Sequence, residues 1–228
     1  MERRAFLQVA GTVGAGLVIG FKIPNRRGVA PFAPNAWLRI GTDDSVLVIV
    51  DRSEMGQGVT TSLPLLLAEE LEADWAKIRF EFAPADKAYI NQLFGVQGTG
   101  GSSSVRAAWK PLREAGARAR TVLVAAAAQA WGVEPGSCRA EAGAVIHAGS
   151  GRRLTYGALA ERAAAIPVPS DVPLKGPQEW RIAGKPTKRL DTRFKVNGSA
   201  QFGIDVRVPV MLTAVIARCP VFGGKVRS

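Results

Sequence analysis

Apolar residues recur with two different periods between residues 36 and 165, and each period predicts an element of secondary structure. Two short apolar runs, 36–41 and 46–51, lie on either side of the turn-forming residues 42–45, which predicts a β-hairpin. The second run is apolar at nearly every position, so we expect both faces of that strand to be buried.

A helix and a further strand should follow the hairpin. The leucines of residues 63–71 repeat at helical spacing, and either Thr61 or Ser62 can cap the start of this helix. Apolar and polar residues then alternate over 78–82, which predicts a strand that ends before Pro84.

The remaining pattern mixes helices and hairpins. A long helix is predicted from the serines at 102–104 through Trp131, and Pro111 should kink or divide it. Residues 138–155 predict a second hairpin and residues 156–165 a short helix. This irregular alternation is typical of an α+β fold.

The last third of the chain is richer in proline and glycine. Residues 166–188 have the composition of a linker. Residues 189–228 contain short β-type runs, of which 211–218 is the clearest. We therefore divide the chain into residues 1–27, a domain over 28–165, a linker over 166–188 and the start of another domain over 189–228.

The N-terminal segment, residues 1–27, has the pattern of an export signal. Arg3 and Arg4 are followed by Phe6-Leu7 and then by an uncharged, glycine-containing stretch over 9–21, an order that resembles a twin-arginine signal. That stretch is shorter than the ~18 apolar residues expected of a spanning helix. We expect delivery to the periplasm, and an uncleaved tether to the inner membrane stays open.

Charge and side-chain chemistry exclude several classes of function. The net charge is +11, and residues 181–228 hold ten basic but only two acidic residues. These charges alternate with apolar residues and no nucleic-acid-binding motif accompanies them, so we predict no nucleic-acid partner. With two cysteines and His147 as the single histidine, we predict no metal-ligating side chains and no hydrolase triad. Whether Cys138 and Cys219 pair is left open.

Two glycine-rich segments carry the candidate chemistry. The first covers residues 54–61 and the second residues 98–104, and each precedes a predicted helix. Glycine lets a ligand approach the backbone, and the free amides at a helix N-terminus favour anions. Neither segment matches a P-loop or a dinucleotide-binding fingerprint. Either one alone could be a plain turn or helix cap.

Taken together, the two segments resemble the molybdenum-binding subunit of the xanthine dehydrogenase/aldehyde oxidase family, and within it the beta subunit of isoquinoline 1-oxidoreductase. The blocks 74–75, 109–120 and 131–133 support the resemblance. Residues 195–206 and 209–220 are similar to the opening of that family's α/β hammerhead domain. By this resemblance, 28–165 is a segment of the molybdopterin-binding domain.

The resemblance implies a function and a set of partners. The cofactor is molybdopterin in its cytosine-dinucleotide form, which holds molybdenum itself. The reaction is the oxidative hydroxylation of N-heterocycles or aldehydes, with water as the oxygen source. Electrons leave through a separate subunit that carries [2Fe–2S] clusters, and a c-type cytochrome is a candidate acceptor.

The resemblance also assigns a site. The implied cofactor-binding residues are Met55, Gly56, Gln57, Gly58, Thr99, Gly100, Gly101, Ser102, Ser103 and Ser104. Gln57 would donate from its side-chain amide, Gly56 and Gly58 would expose backbone amides, and the three serines would contact phosphate oxygens.

Family members continue well beyond residue 228, and their general-base glutamate lies near their C-terminus. No segment here matches its surroundings, so we predict no catalytic residue in this chain. We expect an N-terminal portion, inactive alone, that comes from a truncated reading frame, a split subunit or an incomplete record. The alternative is a non-catalytic exported binding or scaffold module, or a truncated relic of the subunit.

Overall fold

The computed structural model describes residues 16–20 and 36–225. The chain divides into two compact units, Met1–Asp191 and Thr192–Ser228, and each is described by itself. Arg3, Arg4 and most of the predicted export segment lie outside the described residues.

A four-stranded sheet with the order β1-β2-β3-β4 forms one layer of the first unit. The first three strands, β1 (Gly16–Gly20), β2 (Ala36–Gly41) and β3 (Val46–Val50), pair antiparallel, which confirms the hairpin predicted for β2 and β3. β4 (Ile78–Phe82) lies parallel to β3. β1 was not expected, because its residues fall within the segment assigned to the export signal.

Only one face of β3 is fully buried. Val46, Val48 and Val50 are buried, whereas Leu47 and Ile49 are half-buried. The expectation that both faces are buried is therefore wrong for one face, because helices cover this sheet mainly on the valine side.

Two helices pack together in the first unit. α1 (Val59–Leu71) connects β3 to β4, as a parallel pair of strands requires, and α2 (Ser104–Trp131) lies against it. A Cβ atom at Gly116 of α2 would lie 2.3 Å from the carbonyl oxygen of Leu67. Glycine at this position therefore allows the close approach of the two helices.

Pro111 does not divide α2, which was one of the two outcomes expected of it; the other, a kink, stays a prediction. The helix runs unbroken from Ser104 to Trp131. Pro111 removes one backbone N–H from the helix, while Leu112 and Ala115, just beyond it, are buried in the core. Tertiary packing on both sides of the proline therefore outweighs the missing bond.

A second, three-stranded antiparallel sheet contains β5 (Cys138–Glu141), β6 (Ala144–His147) and β7 (Arg153–Thr155). The short helix α3 (Tyr156–Ala164) follows directly. The hairpin and the helix predicted from the sequence are both confirmed. Tyr156 is fully buried, and its hydroxyl donates to the carbonyl of Leu71, which ties α3 to the end of α1.

Residues 166–188, predicted to be a linker, are irregular but belong to the first unit, whose boundary falls after Asp191. The segment is held at the C-terminal end of α1. Glu69 accepts hydrogen bonds from the backbone amides of residues 181–183 and from the ammonium group of Lys175. A proline- and glycine-rich composition therefore marks irregular backbone here without marking a free connector.

Two adjacent buried carboxylates organise this contact. Glu70 is fully buried, and its carboxylate lies 2.6 Å from the guanidinium of Arg113 in α2. Burial acts to raise the pKa of Glu69, but Lys175 and the three backbone amides outweigh it, so the pKa lies below its ordinary value. Glu69 therefore stays charged inside the protein at neutral pH.

The second unit contains one short α-helix, α4 (Thr192–Val196), a 3₁₀ turn at Gly203–Asp205 and no strand among its described residues, which end at 225. The strand expected at 211–218 is therefore wrong in this structure. A strand needs a neighbour for its backbone N–H and C=O groups, and no other described segment of this unit supplies one. Apolar side chains of the run are exposed, including Leu212 at 89% and Val215 at 92%.

None of the helices in the described part of the chain combines the length and the apolar composition that crossing a bilayer requires.

We predict that Lys175→Met strongly destabilises the fold. Lys175 is 8% exposed and its ammonium group contacts the carboxylates of both Glu69 and Glu72. Removing it leaves buried charge without a counter-ion, which should lower the free energy of unfolding by about 3 kcal/mol. Urea denaturation measures the change.

The matched control is Lys110→Met. Lys110 pairs with Glu114 across 3.6 Å, but its side chain is 77% exposed, so the loss should stay below about 1 kcal/mol. Equal losses in the two variants would show that the buried pair adds nothing beyond a surface pair.

Candidate functional site

The first glycine segment is shaped by a carboxylate of its own. Glu54 lies between β3 and α1, and one of its oxygens, Oε1, accepts from the amides of Gly56 at 2.8 Å and Gly58 at 3.0 Å. Its other oxygen accepts from the amide and the hydroxyl of Thr60, at 3.2 and 3.0 Å. The amides expected to be open at Gly56 and Gly58 are therefore already engaged.

Burial acts to raise the pKa of Glu54, but the hydrogen bonds from Gly58, Thr60 and Gly56 outweigh it and lower the pKa below its ordinary value. A negative charge thus sits at the positive end of α1. The N-terminus of this helix is neutralised from within the chain.

Helix α1 begins at Val59, after Gly58 in the left-handed conformation with φ of 87°, so neither Thr61 nor Ser62 caps it. Glycine adopts that conformation without strain. The hydroxyl of Thr61 instead accepts from the amide of Leu190 at 3.0 Å. The threonine expected as a cap therefore holds the end of the first unit against the helix.

Gln57 closes the loop on itself. Its side-chain nitrogen donates to the carbonyl of Ser53 at 2.8 Å, and its side-chain oxygen accepts from the amide of Met55 at 2.7 Å. The Met55 side chain is 69% exposed. Gln57 is therefore bound within the loop through one of the two N–H groups of its side-chain amide, and the second N–H has no partner among the described residues.

The second glycine segment contacts Ser53, the residue directly before the first segment. The hydroxyl of Thr99 accepts from the amide of Ser53 at 2.8 Å, across 46 residues of sequence. The sequence showed only that both segments are rich in glycine and precede a helix. The fold brings them close together.

Serines 102–104 do not act as one group. Ser103 is fully buried, and its hydroxyl donates to the carbonyl of Gly100 and accepts from the side-chain amide of Asn91 at 2.8 Å. Ser104 is the first residue of α2, and Ser102 is exposed with φ of 51°. The buried position of Ser103 argues for a structural role at this site.

Helix α2, unlike α1, begins without a side-chain cap. The amides of Gly100, Gly101 and Ser102 donate to no group within the described part of the chain. Free amides ahead of a 28-residue helix favour an anion. The capacity to bind an anion therefore lies at the second segment.

A cavity of about 410 Å³ opens beside the contact between Ser53 and Thr99. Its lining comes from the end of β3, the residues after β4 and the second glycine segment: Val50, Asp51, Arg52, Ser53, Phe82, Ala83, Ala85, Gln97, Gly98 and Thr99. We call it the glycine-segment cavity. Of the ten predicted site residues, Thr99 alone is among these lining residues.

Asp51 and Arg52, which line this cavity, were missed by the sequence analysis. They are 7% and 3% exposed and form an ion pair. Burial raises the pKa of Asp51 despite the nearby charge of Arg52. The sequence feature that could have indicated these two residues is a pair of adjacent charged residues at the end of an apolar strand.

Arg189 was missed as well. Its guanidinium lies 3.2 Å from Glu54 Oε1 and forms two 3.0 Å contacts to Asp191, and it also approaches the carbonyl of Gly56. The residue is 135 positions from Glu54 along the chain, and nothing in the local sequence signals the contact.

The described part of the chain holds no group of three or more His, Cys, Asp or Glu side chains placed to bind a metal ion. His147 ends β6, where its Nδ1 lies 2.7 Å from Ser150 Oγ, as expected of a hairpin histidine. Cys138 and Cys219 are both free thiols.

Comparison with known proteins gives one family and several relatives. Residues 2–210 match the molybdopterin cofactor-binding domain. The chain is 35% identical to the isoquinoline 1-oxidoreductase subunit beta of Brevundimonas diminuta, over 98% of this chain and 34% of the relative. It is 34% identical to the membrane-bound aldehyde dehydrogenase [pyrroloquinoline-quinone] of Gluconacetobacter polyoxogenes, over 100% of this chain and 31% of the relative.

The chain thus spans about a third of the length of these two curated relatives. A solved structure, quinoline 2-oxidoreductase from Pseudomonas putida 86, superimposes with a TM-score of 0.43 and 19% identity, over 56% of this chain and 15% of that one.

We predict that Glu54→Gln destabilises the first unit in a pH-dependent way. Because the folded-state pKa of Glu54 lies below its ordinary value, its charge stabilises the fold above that value, and the contribution is lost as pH falls through the lowered pKa. At about pH 7 the variant should lose about 0.5–2 kcal/mol, the range for a helix cap. Urea denaturation from about pH 7 to about pH 3 measures it.

Glu161→Gln is the control, because Glu161 is exposed on α3. Its difference from the parent protein should be small and flat with pH. If the effect of Glu54→Gln were equally flat, the charge of Glu54 would not stabilise the start of α1.

Proposed function

This chain belongs to the molybdopterin cofactor-binding domain family, and we propose that its two glycine segments, 54–61 and 98–104, bind the pterin cofactor of a molybdenum hydroxylase. The chain would form the N-terminal part of the large subunit. The curated relatives are, by name, oxidoreductases or dehydrogenases.

The observation that carries the proposal is the hydrogen bond from the Ser53 amide to the Thr99 hydroxyl. It joins the two segments at one edge of the first unit, beside the glycine-segment cavity. Two loops that come together beside one cavity can contact different edges of the same ligand.

The residues present fit such a ligand. A Cβ atom built on Gly56 or on Gly100 would meet nothing within 4 Å, so the backbone is open to approach at both segments. The free amides of residues 100–102 suit a phosphate group. Within the described part of the chain, buried Asp51 Oδ1 and Arg52 Nε have no hydrogen-bond partner, which suits a ligand with polar edges.

When bound, the cofactor supplies the molybdenum at which a substrate is oxidised. The residues of this chain bind and orient it. The amides at the start of α2 would hold phosphate oxygens. Gln57, held by Ser53 and Met55, would keep the first segment in shape and offer its side-chain amide at the ligand's edge.

Several finer statements belong to the same proposal. The cofactor would be the cytosine dinucleotide form, and the substrates would be N-heterocycles or aldehydes, with water supplying the oxygen. Names of relatives, isoquinoline 1-oxidoreductase and an aldehyde dehydrogenase, support both substrate classes. The partners would be the rest of the large subunit, a [2Fe–2S] subunit and a c-type cytochrome.

One observation favours a second candidate, a non-catalytic scaffold module. The first glycine segment is satisfied by its own residues, since Glu54 and Gln57 occupy its amides and carbonyls. A loop that completes itself does not require a ligand. The two candidates are separated by whether the assembled protein contains the cofactor.

The test is co-expression of the chain with the rest of the large subunit and the [2Fe–2S] subunit, followed by analysis of the purified complex. We expect molybdenum and pterin in equal amounts. The same sample is analysed for pyrroloquinoline quinone, because the name of one relative carries it. A complex without molybdenum, made in a host that produces the cofactor, would overturn the proposal.

We predict that Gln57→Ala lowers the pterin content of this complex. Loss of one hydrogen bond at a ligand is worth about 1.4 kcal/mol, or about tenfold in affinity. Gln129→Ala, on an exposed position of α2, is the control and should keep full content. If both variants retain the cofactor equally, Gln57 is a loop residue only.

We also propose that the protein is exported to the periplasm by the twin-arginine pathway, with an inner-membrane tether as an added option. The support is the order of charged and apolar residues in 1–27. Arg3→Lys combined with Arg4→Lys should trap the precursor in the cytoplasm, which fractionation and immunoblotting measure. Unchanged delivery, or delivery in a strain without the translocase, would contradict this.

A further inference from the structure

Asp51 and Arg52 form a buried pair with an unused atom on each side chain. Nη1 of Arg52 donates to Oδ2 and to the main-chain carbonyl of Asp51, the latter at 3.1 Å. Oδ1 of Asp51 and Nε of Arg52 are buried and have no hydrogen-bond partner among residues 16–20 and 36–225. Unpaired polar atoms in the interior are unfavourable, so their persistence points to a group that fills them.

The pair lies where two cavities meet. One is the glycine-segment cavity, which Ser53, Gly98 and Thr99 also line. The other, of about 390 Å³, is bounded by Trp37, residues 87–92 and the first turns of α2, and we call it the proline cavity because Pro111 lines it. Both residues of the pair line each cavity, so a ligand in either space would lie beside the pair.

The chemistry of the two atoms restricts the ligand. Asp51 Oδ1 accepts a hydrogen bond and Arg52 Nε donates one. A phosphate has only acceptors and would be repelled by Asp51, whereas an ammonium group would be repelled by Arg52. The complement is a neutral edge with an N–H beside a C=O, as in an amide or a pyrimidinone ring.

We propose that the Asp51–Arg52 pair is a recognition site for such an edge, and that its ligand is the pyrimidinone ring of the pterin, bound in the glycine-segment cavity. This rests on the proposed function. Asp51 accepts from the ring N–H and Arg52 donates to the adjacent ring oxygen. The free amides of residues 100–102, at the second segment, leave the phosphates a separate place.

Asp51→Asn tests the proposal in the purified full chain, with free pterin as the probe and its fluorescence as the readout. The Asn oxygen must still accept from Arg52, so the amide nitrogen replaces Oδ1 and turns the acceptor into a donor. We expect pterin binding at least tenfold weaker, the usual size for one buried hydrogen bond. Asp171→Asn, at an exposed aspartate, is the matched control and should bind as the parent does.

A second probe separates recognition from general damage. 2-Amino-4-methoxypteridine has the same rings but lacks the N–H beside the oxygen. The parent protein should prefer pterin, and Asp51→Asn should reduce or reverse that preference. A variant that loses both probes equally would show that Asp51 acts only in folding, which overturns the assignment.

Two filling variants decide between the cavities. Ala85→Leu narrows the glycine-segment cavity, and Ala107→Leu narrows the proline cavity. Pterin binding should be lost with the first and kept with the second. The reverse result, or a parent protein that binds no pterin and holds only water at Asp51, would refute the proposal.

Failure of this site and failure of the proposed function give different results in the assembled complex. A complex that holds molybdenum and pterin in full amount when Asp51→Asn is introduced would retain the function and eliminate this site. A complex without any pterin would remove both.

Discussion

The buried carboxylates of Glu69 and Glu70, at the C-terminal end of α1, are the constraint on which the first unit depends. Acidic groups are unfavourable at that end of a helix, and both are withdrawn from water. They are tolerated because Arg113 of α2, Lys175 and the amides of residues 181–183 converge on them. The same contacts fix α2 and the irregular segment around α1. Removing one partner therefore leaves a buried charge without its counter-ion, which costs more than the loss of one hydrogen bond.

The two ends of α1 thus use carboxylates in opposite ways. Glu54 at the N-terminal end satisfies the helix amides and is aligned with the helix dipole. Arg189, from the end of the first unit, contacts Glu54 in turn. The amides of Gly56, Gly58 and Thr60 are therefore engaged by Glu54. The amides of residues 100–102, before α2, donate to no group in the described part of the chain. The two helices therefore begin differently. The segment before α1 is held by its own hydrogen bonds, whereas the segment before α2 has amides that favour an anion.

The difference between the two glycine segments affects which residue roles implied by the family resemblance are compatible with the hydrogen bonds of this chain. Both glycine segments were assigned the same kind of contact, through open amides and hydroxyls. In the structure Gly56, Gly58 and Ser103 have partners within the chain. Thr99 joins the segments, and Asp51 and Arg52 bring unpaired polar atoms to the shared cavity. The family resemblance proposes where the site lies, whereas the hydrogen bonds of the described residues decide which atoms remain for a ligand.

Periodicity in the sequence was sufficient for the elements that are stabilised locally or by one buried face, including the β2–β3 hairpin, α2 and the β5–β6 hairpin. It also placed the two glycine segments ahead of helices. It failed where the outcome depends on distant residues: Pro111 stays within α2 because both flanks are packed, and 211–218 forms no strand because the described residues of its unit offer no partner. Contacts such as Glu54 with Arg189 leave no local pattern, since they join residues 135 positions apart. Local spacing determines which elements can form, and only the tertiary structure decides which charges meet and which polar atoms stay unpaired.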